Sequence, residues 1–155
     1  MDIKLDKTDK KLLTLLQQDA KLTTKQLAHH LDLTVTPVFE RIKRLERQGV
    51  ITKYVAILDK EKIDRKLIAF CNVSIKEHSR EFIHNFESQI VKFPEVMECY
   101  HIAGMHDYML KITTRDMDSY HDFIYNKLAT IENIGNVRSS FVMNELKNST
   151  VHQLL

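Results

Sequence analysis

The stretch Leu67–Ile75, LIAFCNVSI, constrains this chain more than any other. As a strand it is apolar on both sides, with Ile68 and Phe70 on one face and Ala69, Cys71, Val73 and Ile75 on the other. Such a strand belongs inside a sheet covered on both faces. Downstream, residues 81–91 read as a helix with Phe82, Ile83, Phe86 and Ile90 inward. Residues 96–103 and 107–113 read as strands meeting at an AGMH turn that contains Gly104. Residues 117–128 read as a helix with Tyr120, Phe123, Ile124 and Leu128 inward, and residues 137–145 as a closing strand. The order β-α-β-β-α-β is the ferredoxin-like split motif. Two helices cover only one side of a four-stranded sheet, so the second apolar face of LIAFCNVSI calls for a second subunit.

The first half has a different rhythm and reads as three short helices. Asp6 caps the first, and Leu12, Leu13, Leu15 and Leu16 form its buried face up to about Gln18. Thr23-x-x-Gln26 is a capping box opening a second helix with Leu27, Ala28 and Leu31 inward. Asp32 fills a tight turn that needs a residue tolerant of left-handed dihedrals. The stretch LTVTPVFERIKRLERQGV follows, and Pro37 near its front looks out of place. With Thr34 as N-cap, Pro37 falls in the first turn, where amide hydrogens have no helical acceptor and a missing N–H costs little. Gly49 ends the helix as a C′ glycine. The apolar, β-branched VITKYVAILD then suggests a two-stranded ribbon and a connector.

On the third helix Val35, Val38, Ile42 and Leu45 recur at helical spacing and form the inward stripe. Thr36, Glu40, Lys43, Arg44 and Arg47 project opposite, with Pro37 and Arg41 on the flank. Three short helices, a capped turn and a ribbon make a winged helix-turn-helix, whose third helix enters the major groove. Thr36, Pro37 and Glu40 are then placed near base edges, and Arg41, Lys43, Arg44 and Arg47 near phosphates or guanines. Together with the cap Thr34 they make up the expected DNA-binding set. The plainer alternative is a solvated charged face. The charge split suggests a polyanion partner for the first half: residues 1–60 carry 12 Lys or Arg against 8 Asp or Glu, while the rest of the chain carries 11 against 13.

With 155 residues, 43% hydrophobic and 28% charged, the composition is that of an ordinary globular protein, α+β in class. The apolar runs are too short to cross a bilayer, and MDIKLDKTDKK has no apolar h-region, so a cytoplasmic protein with no membrane partner is expected. Cys71 and Cys99 are too few for a disulfide framework and read as small buried residues. Cys99-x-His101 with His106 nearby invites a metal reading, but no second close pair completes a zinc set, so no metal and no cofactor are expected. No nucleophile–base pair or phosphate loop stands out, so no catalytic residue is assigned.

The chain from Leu5 to Asp59 resembles the N-terminal domain of the Lrp/AsnC, or feast/famine, transcription regulators. The resemblance is carried by Leu5-Asp6, Asp9 and Leu12-Leu13, then by Thr34, Thr36-Pro37, Arg41-Ile42, Leu45-Glu46, Gly49 and Ile51. Thr34 stands where the family commonly has serine, and Asp32 where it commonly has the turn glycine. The second half resembles the family's effector-sensing domain, including a G-x-x-D at Gly104–Asp107 followed by YMLKI.

The resemblance implies a regulator of transcription that binds double-stranded DNA as a homodimer, assembles further into octamers, and takes a small effector, an amino acid, near Gly104–Asp107. Gly104, Met105, His106 and Asp107 are the ligand-binding set it implies. In physical terms, Gly104 lets the backbone approach a small ligand and Asp107 offers a carboxylate to an α-ammonium. The alternative is that both are ordinary turn formers. The expected organisation is a helix-turn-helix domain over residues 1–52, a ribbon or linker over 53–64, and a sensing and dimerisation domain over 65–155. Two rival functions stand beside it: a regulatory subunit or enzyme of amino-acid metabolism, and an effector-binding or architectural module without operator-specific DNA binding.

Overall fold

A computed structural model describes residues 3–154 of the chain. Met1, Asp2 and Leu155, which fall within the expected domain ranges and the N-terminal reading, lie outside the described residues. The structure divides into two compact units, one running to Ile57 and taking up the chain again from Lys147, the other spanning Leu58–Leu146.

The first unit is built on α1 (Lys7–Gln18), α2 (Thr24–Leu31) and α3 (Val35–Arg47). Each start is written in the sequence. Asp6 accepts the Asp9 N–H at 2.7 Å while Asp9 accepts the Asp6 N–H at 3.1 Å, a reciprocal capping box. Thr23 and Gln26 repeat the device on α2. Asp32 closes α2 in the left-handed region at φ 55°, and Gly49 follows α3 at φ 71°. Thr34 does precede α3 as its N-cap, but its hydroxyl makes no capping hydrogen bond. The reason lies three residues on: the N3 position, a usual donor to a cap, is Pro37, which has no N–H. Leu12, Leu13, Leu27, Ala28, Leu31, Val38 and Leu45 form the core of this unit. Of the expected stripe on α3, Val38 and Leu45 are buried and Ile42 is partly buried, whereas Val35, in the first turn, is exposed.

Residues 50–59, expected to pair as a ribbon, form no strand. A ribbon needs a facing strand, and none of the described strands pairs there, so Tyr54, Val55, Ile57 and Leu58 stay exposed. The last residues also differ from expectation, since they pack with the first unit. His152 N–H donates to Gln17 Oε1 at 2.7 Å, Gln17 Nε2 donates to the His152 carbonyl at 3.1 Å, and Leu154 packs against the first core.

The second unit comprises β1 (Leu67–Ile75), α4 (Arg80–Ile90), β2 (Val96–His101), β3 (Tyr108–Thr114), α5 (Met117–Asn126), a 3-10 turn (Leu128–Thr130) and β4 (Ile134–Phe141). Its antiparallel sheet has the order β2-β3-β1-β4, the ferredoxin-like arrangement. The register puts Ala69 opposite Ile112, Cys71 opposite Leu110 and Val73 opposite Tyr108. These residues share a face and are buried with Phe86 and Ile90 of α4 and Tyr120 and Phe123 of α5. Each large apolar side chain buried there contributes about 1.5–3 kcal/mol. Phe70, Met109 and Tyr100 lie on the other face, which the two helices do not cover.

β4 begins earlier than the sequence suggests. Asn133, at φ 68°, and Gly135 resemble turn residues, yet Ile134 pairs with Ile75 across a register shift between Ser74 and Ile75. At Gly135 a Cβ would come within 3.2 Å of the Ser74 carbonyl oxygen, a tight approach that glycine avoids. Cys71 is buried and Cys99 partly so, both free, and burial pushes both thiols up. No described helix is long and apolar enough to cross a membrane.

Candidate nucleic-acid interface and effector turn

The residues of the expected DNA-binding set fall on two different sides of α3. Thr36, Pro37, Glu40, Lys43 and Arg47 are exposed, as is Thr34 just before the helix. Arg41 and Arg44 are only partly exposed, and both turn to α1. Arg41 Nη1 lies 2.6 Å from Asp6 Oδ2 and 2.7 Å from Asp9 Oδ1, and Arg44 Nη2 lies 2.5 Å from Asp9 Oδ1. These two arginines therefore do not stand free on the outward face. The Asp9 carboxylate is fully buried and accepts from the Asp6 N–H and both guanidinium groups, the full set of partners such a buried charge requires. The Asp9 N–H first, and Arg41 second, hold the Asp6 carboxyl below the usual carboxylate range. In turn Asp6, then Asp9, raise the Arg41 guanidinium above its ordinary value.

Lys43 pairs with Glu46 at 2.9 Å on the same helix, and Glu46 also accepts the Tyr54 hydroxyl at 3.1 Å. This exposed pair exchanges readily with another anion, because water screens it. No ion pair holds Arg47 among the described residues. The sequence reading missed Phe39, a residue 46% exposed whose ring centre lies 5.8 Å from Lys43 Nζ. Its signal was spacing, since Phe39 lies three residues after Thr36 and four before Lys43 on the same helical face.

In the second unit, residues 102–107 join β2 to β3, and Ile102 N–H donates to the Asp107 carbonyl at 2.8 Å. Gly104 adopts φ 147° with open space where a Cβ would sit, so the demand for glycine here is conformational. Met105 is 86% exposed. His106 Nδ1 and Ser74 Oγ share a hydrogen bond of 3.1 Å. Asp107 is occupied on both carboxylate oxygens: Ile75 N–H donates to Oδ2 at 2.7 Å and His78 Nε2 lies 2.8 Å from Oδ1. The Asp107 carboxylate is thus fastened to residues distant in sequence, at the end of β1 and just after it, and His78 is a neighbour that the sequence reading passed over. Cys99 and His101 share the inner sheet face, where His101 stacks on Tyr108 at 4.8 Å. Among the described residues no group of three or more His, Cys, Asp or Glu is arranged to hold a metal ion.

The Asp107 bonds carry a pH dependence. The Ile75 N–H, and after it His78, hold the Asp107 carboxyl below the usual range. A lowered folded-state value means the contribution to stability is complete above about pH 4 and vanishes as pH falls through the lowered value. In His78→Ala the carboxyl is expected to titrate closer to the ordinary value, read by the Asp107 carbon resonance in an NMR titration. An unchanged midpoint would show that His78 contributes nothing to it.

A three-helix reading head and a split βαββαβ unit together define a DNA-binding regulator with a ligand-binding half. Residues 5–52 match the winged helix-turn-helix DNA-binding model, and residues 68–152 match the Lrp/AsnC ligand binding domain. The chain belongs to the Lrp/AsnC family of transcriptional regulators. It is 39% identical over 146 residues to the DNA-binding transcriptional activator DecR of Escherichia coli (strain K12), covering 94% of this chain and 96% of that protein. It is 32% identical over 145 residues to the leucine-responsive regulatory protein of the same strain, covering 94% and 88%. A solved complex of a Neisseria meningitidis transcriptional regulator with L-Met matches at TM-score 0.91 and 34% identity, covering 95% of each chain. These relatives are named as regulators, and this chain is likewise a regulator of transcription.

Proposed function

We infer that the protein regulates transcription from the cytoplasm as a homodimer or larger assembly, up to an octamer, whose grip on DNA is changed by a free amino acid. The three-helix part, residues 1–52, reads DNA; residues 53–64 connect; residues 65–146 sense the effector and dimerise, and the chain beyond returns to the first unit. Thr36, Pro37, Phe39 and Glu40 face base edges, with Phe39 suited to a thymine methyl, while Lys43 and Arg47 face phosphates. The exposed N-terminal end of α3 supports this placement. Paired heads in a dimer engage half-sites one helical turn apart, or a multiple of it.

The observation that carries the effector class is the likeness to a relative solved with L-Met over 95% of both chains. Gly104, Met105, His106 and Asp107 are the effector turn in this reading. The sheet face with Phe70, Met109 and Tyr100, which the helices leave uncovered, and the exposed apolar residues Tyr54, Val55 and Ile57 support association with a second copy. An effector shifts assembly only if it binds one assembly state better than another.

Thermal-shift measurements with L-Met, L-leucine and the other free amino acids, followed by sizing of the protein with and without each hit, test this reading. At least one is expected to raise the melting temperature and alter apparent size. A flat response to all of them would remove the amino-acid effector.

A further inference from the structure

The acidic residues that open α1 do more than cap it, because their carboxylates also hold the guanidinium groups of Arg41 and Arg44. A guanidinium group binds carboxylate and phosphate oxygens through the same charge-assisted hydrogen bonds, so the two anions compete for it. The competition is local and strong. Asp9 is fully buried, with one oxygen on the Asp6 N–H and the other on both arginines, and cannot swing away. Asp6 has about half its side chain in water and holds Arg41 from the solvent side.

We propose that Asp6 and Asp9 serve as an internal substitute for the DNA backbone, withholding Arg41 and Arg44 from phosphates so that sequence-independent binding rests on Lys43 and Arg47. The inference depends on α3 being the DNA-reading helix. Non-specific affinity comes almost wholly from phosphate contacts, whereas base contacts specify. Each cation withdrawn from the phosphates therefore lowers background binding and leaves the base-reading residues Thr36, Phe39 and Glu40 untouched. Asp6 and Asp9 are positioning residues in this sense, and they set the ratio of specific to non-specific binding.

The test is the salt dependence of binding to a random-sequence duplex, read by fluorescence anisotropy on the full chain. Asp6→Asn keeps a good capping side chain but removes its charge. With Asp9 still in place, this opens only the solvent side of Arg41, so non-specific affinity is expected to rise and the slope of log K against log salt to steepen by roughly 0.9, one phosphate for one arginine. Asp6→Glu should return the slope toward that of the wild type, a reversal that loss of structure alone would not produce. Arg44→Gln, which leaves Arg41 on Asp9, is expected to keep the wild-type slope. The proposal is overturned if Asp6→Asn leaves the slope unchanged, or if Arg44→Gln makes it shallower by roughly 0.9 or more. Wild-type protein that binds no duplex would overturn the reading of α3 beneath it too, a result told apart because every variant would then fail alike.

Discussion

Lys43→Ala combined with Arg47→Ala is expected to weaken duplex binding by about a hundredfold, with little change in melting temperature. Both side chains are exposed on α3, and neither belongs to the buried core of the first unit. Losing a hydrogen bond to a charged group costs about 1.5–3 kcal/mol, so two such bonds to phosphate amount to about 3 kcal/mol at the low end, or about two decades in Kd. The salt slope should also fall by roughly 0.9 for each phosphate left without its cation. Lys43 leaves Glu46 to reach a phosphate, and that exchange costs little because the pair is solvent-exposed. Anisotropy titrations at several salt concentrations read both effects. Unchanged affinity and slope in the double variant would mean that this face of α3 is not the one that meets DNA.

Asp9→Ala has the opposite profile, a large loss of stability. The carboxylate is buried, anchors the capping box of α1, and joins α1 to α3 through Arg41 and Arg44. Removing one member of a buried ion pair typically costs about 3–5 kcal/mol. Here the stranded arginines are partly exposed and can turn to water, which places the expectation at the lower end, about 3 kcal/mol. For a unit of this size that corresponds to a fall of roughly 15 °C in the melting transition. Thermal denaturation followed by circular dichroism measures it. A loss below about 1 kcal/mol would show that the arginines do not rely on Asp9.

Much of the architecture was legible because local chemistry dictates it. The Asp6 cap, the Thr23–Gln26 capping box, the left-handed Asp32, Gly49 and the two-sided strand LIAFCNVSI each follow from a few neighbouring residues, and all reappear in the structure. What was not legible depends on distant partners. Helical periodicity placed Arg41 and Arg44 off the apolar stripe, but their partner Asp9 lies more than thirty residues earlier, across helix packing that periodicity does not encode. The start of β4 was hidden because Asn133 and Gly135 look like a turn until the register shift with β1 is known. VITKYVAILD has the composition of a strand, yet composition does not supply the facing strand it needs. On the turn between β2 and β3, Gly104 was readable from its place in a hairpin. The fastening of Asp107 by Ile75 and His78 required the tertiary structure.

The return of the chain after Lys147 has a consequence for dissecting this molecule. Topologically, Leu58–Leu146 is an insertion into the unit that precedes it, whose closing piece is held by the Gln17–His152 pair and by Leu154. A fragment severed at residue 57 would leave that piece behind, uncovering greasy surface on the helices and lacking the two hydrogen bonds of the Gln17 side chain. Grafting the trailing residues back through a short artificial loop would be the sounder way to isolate the head.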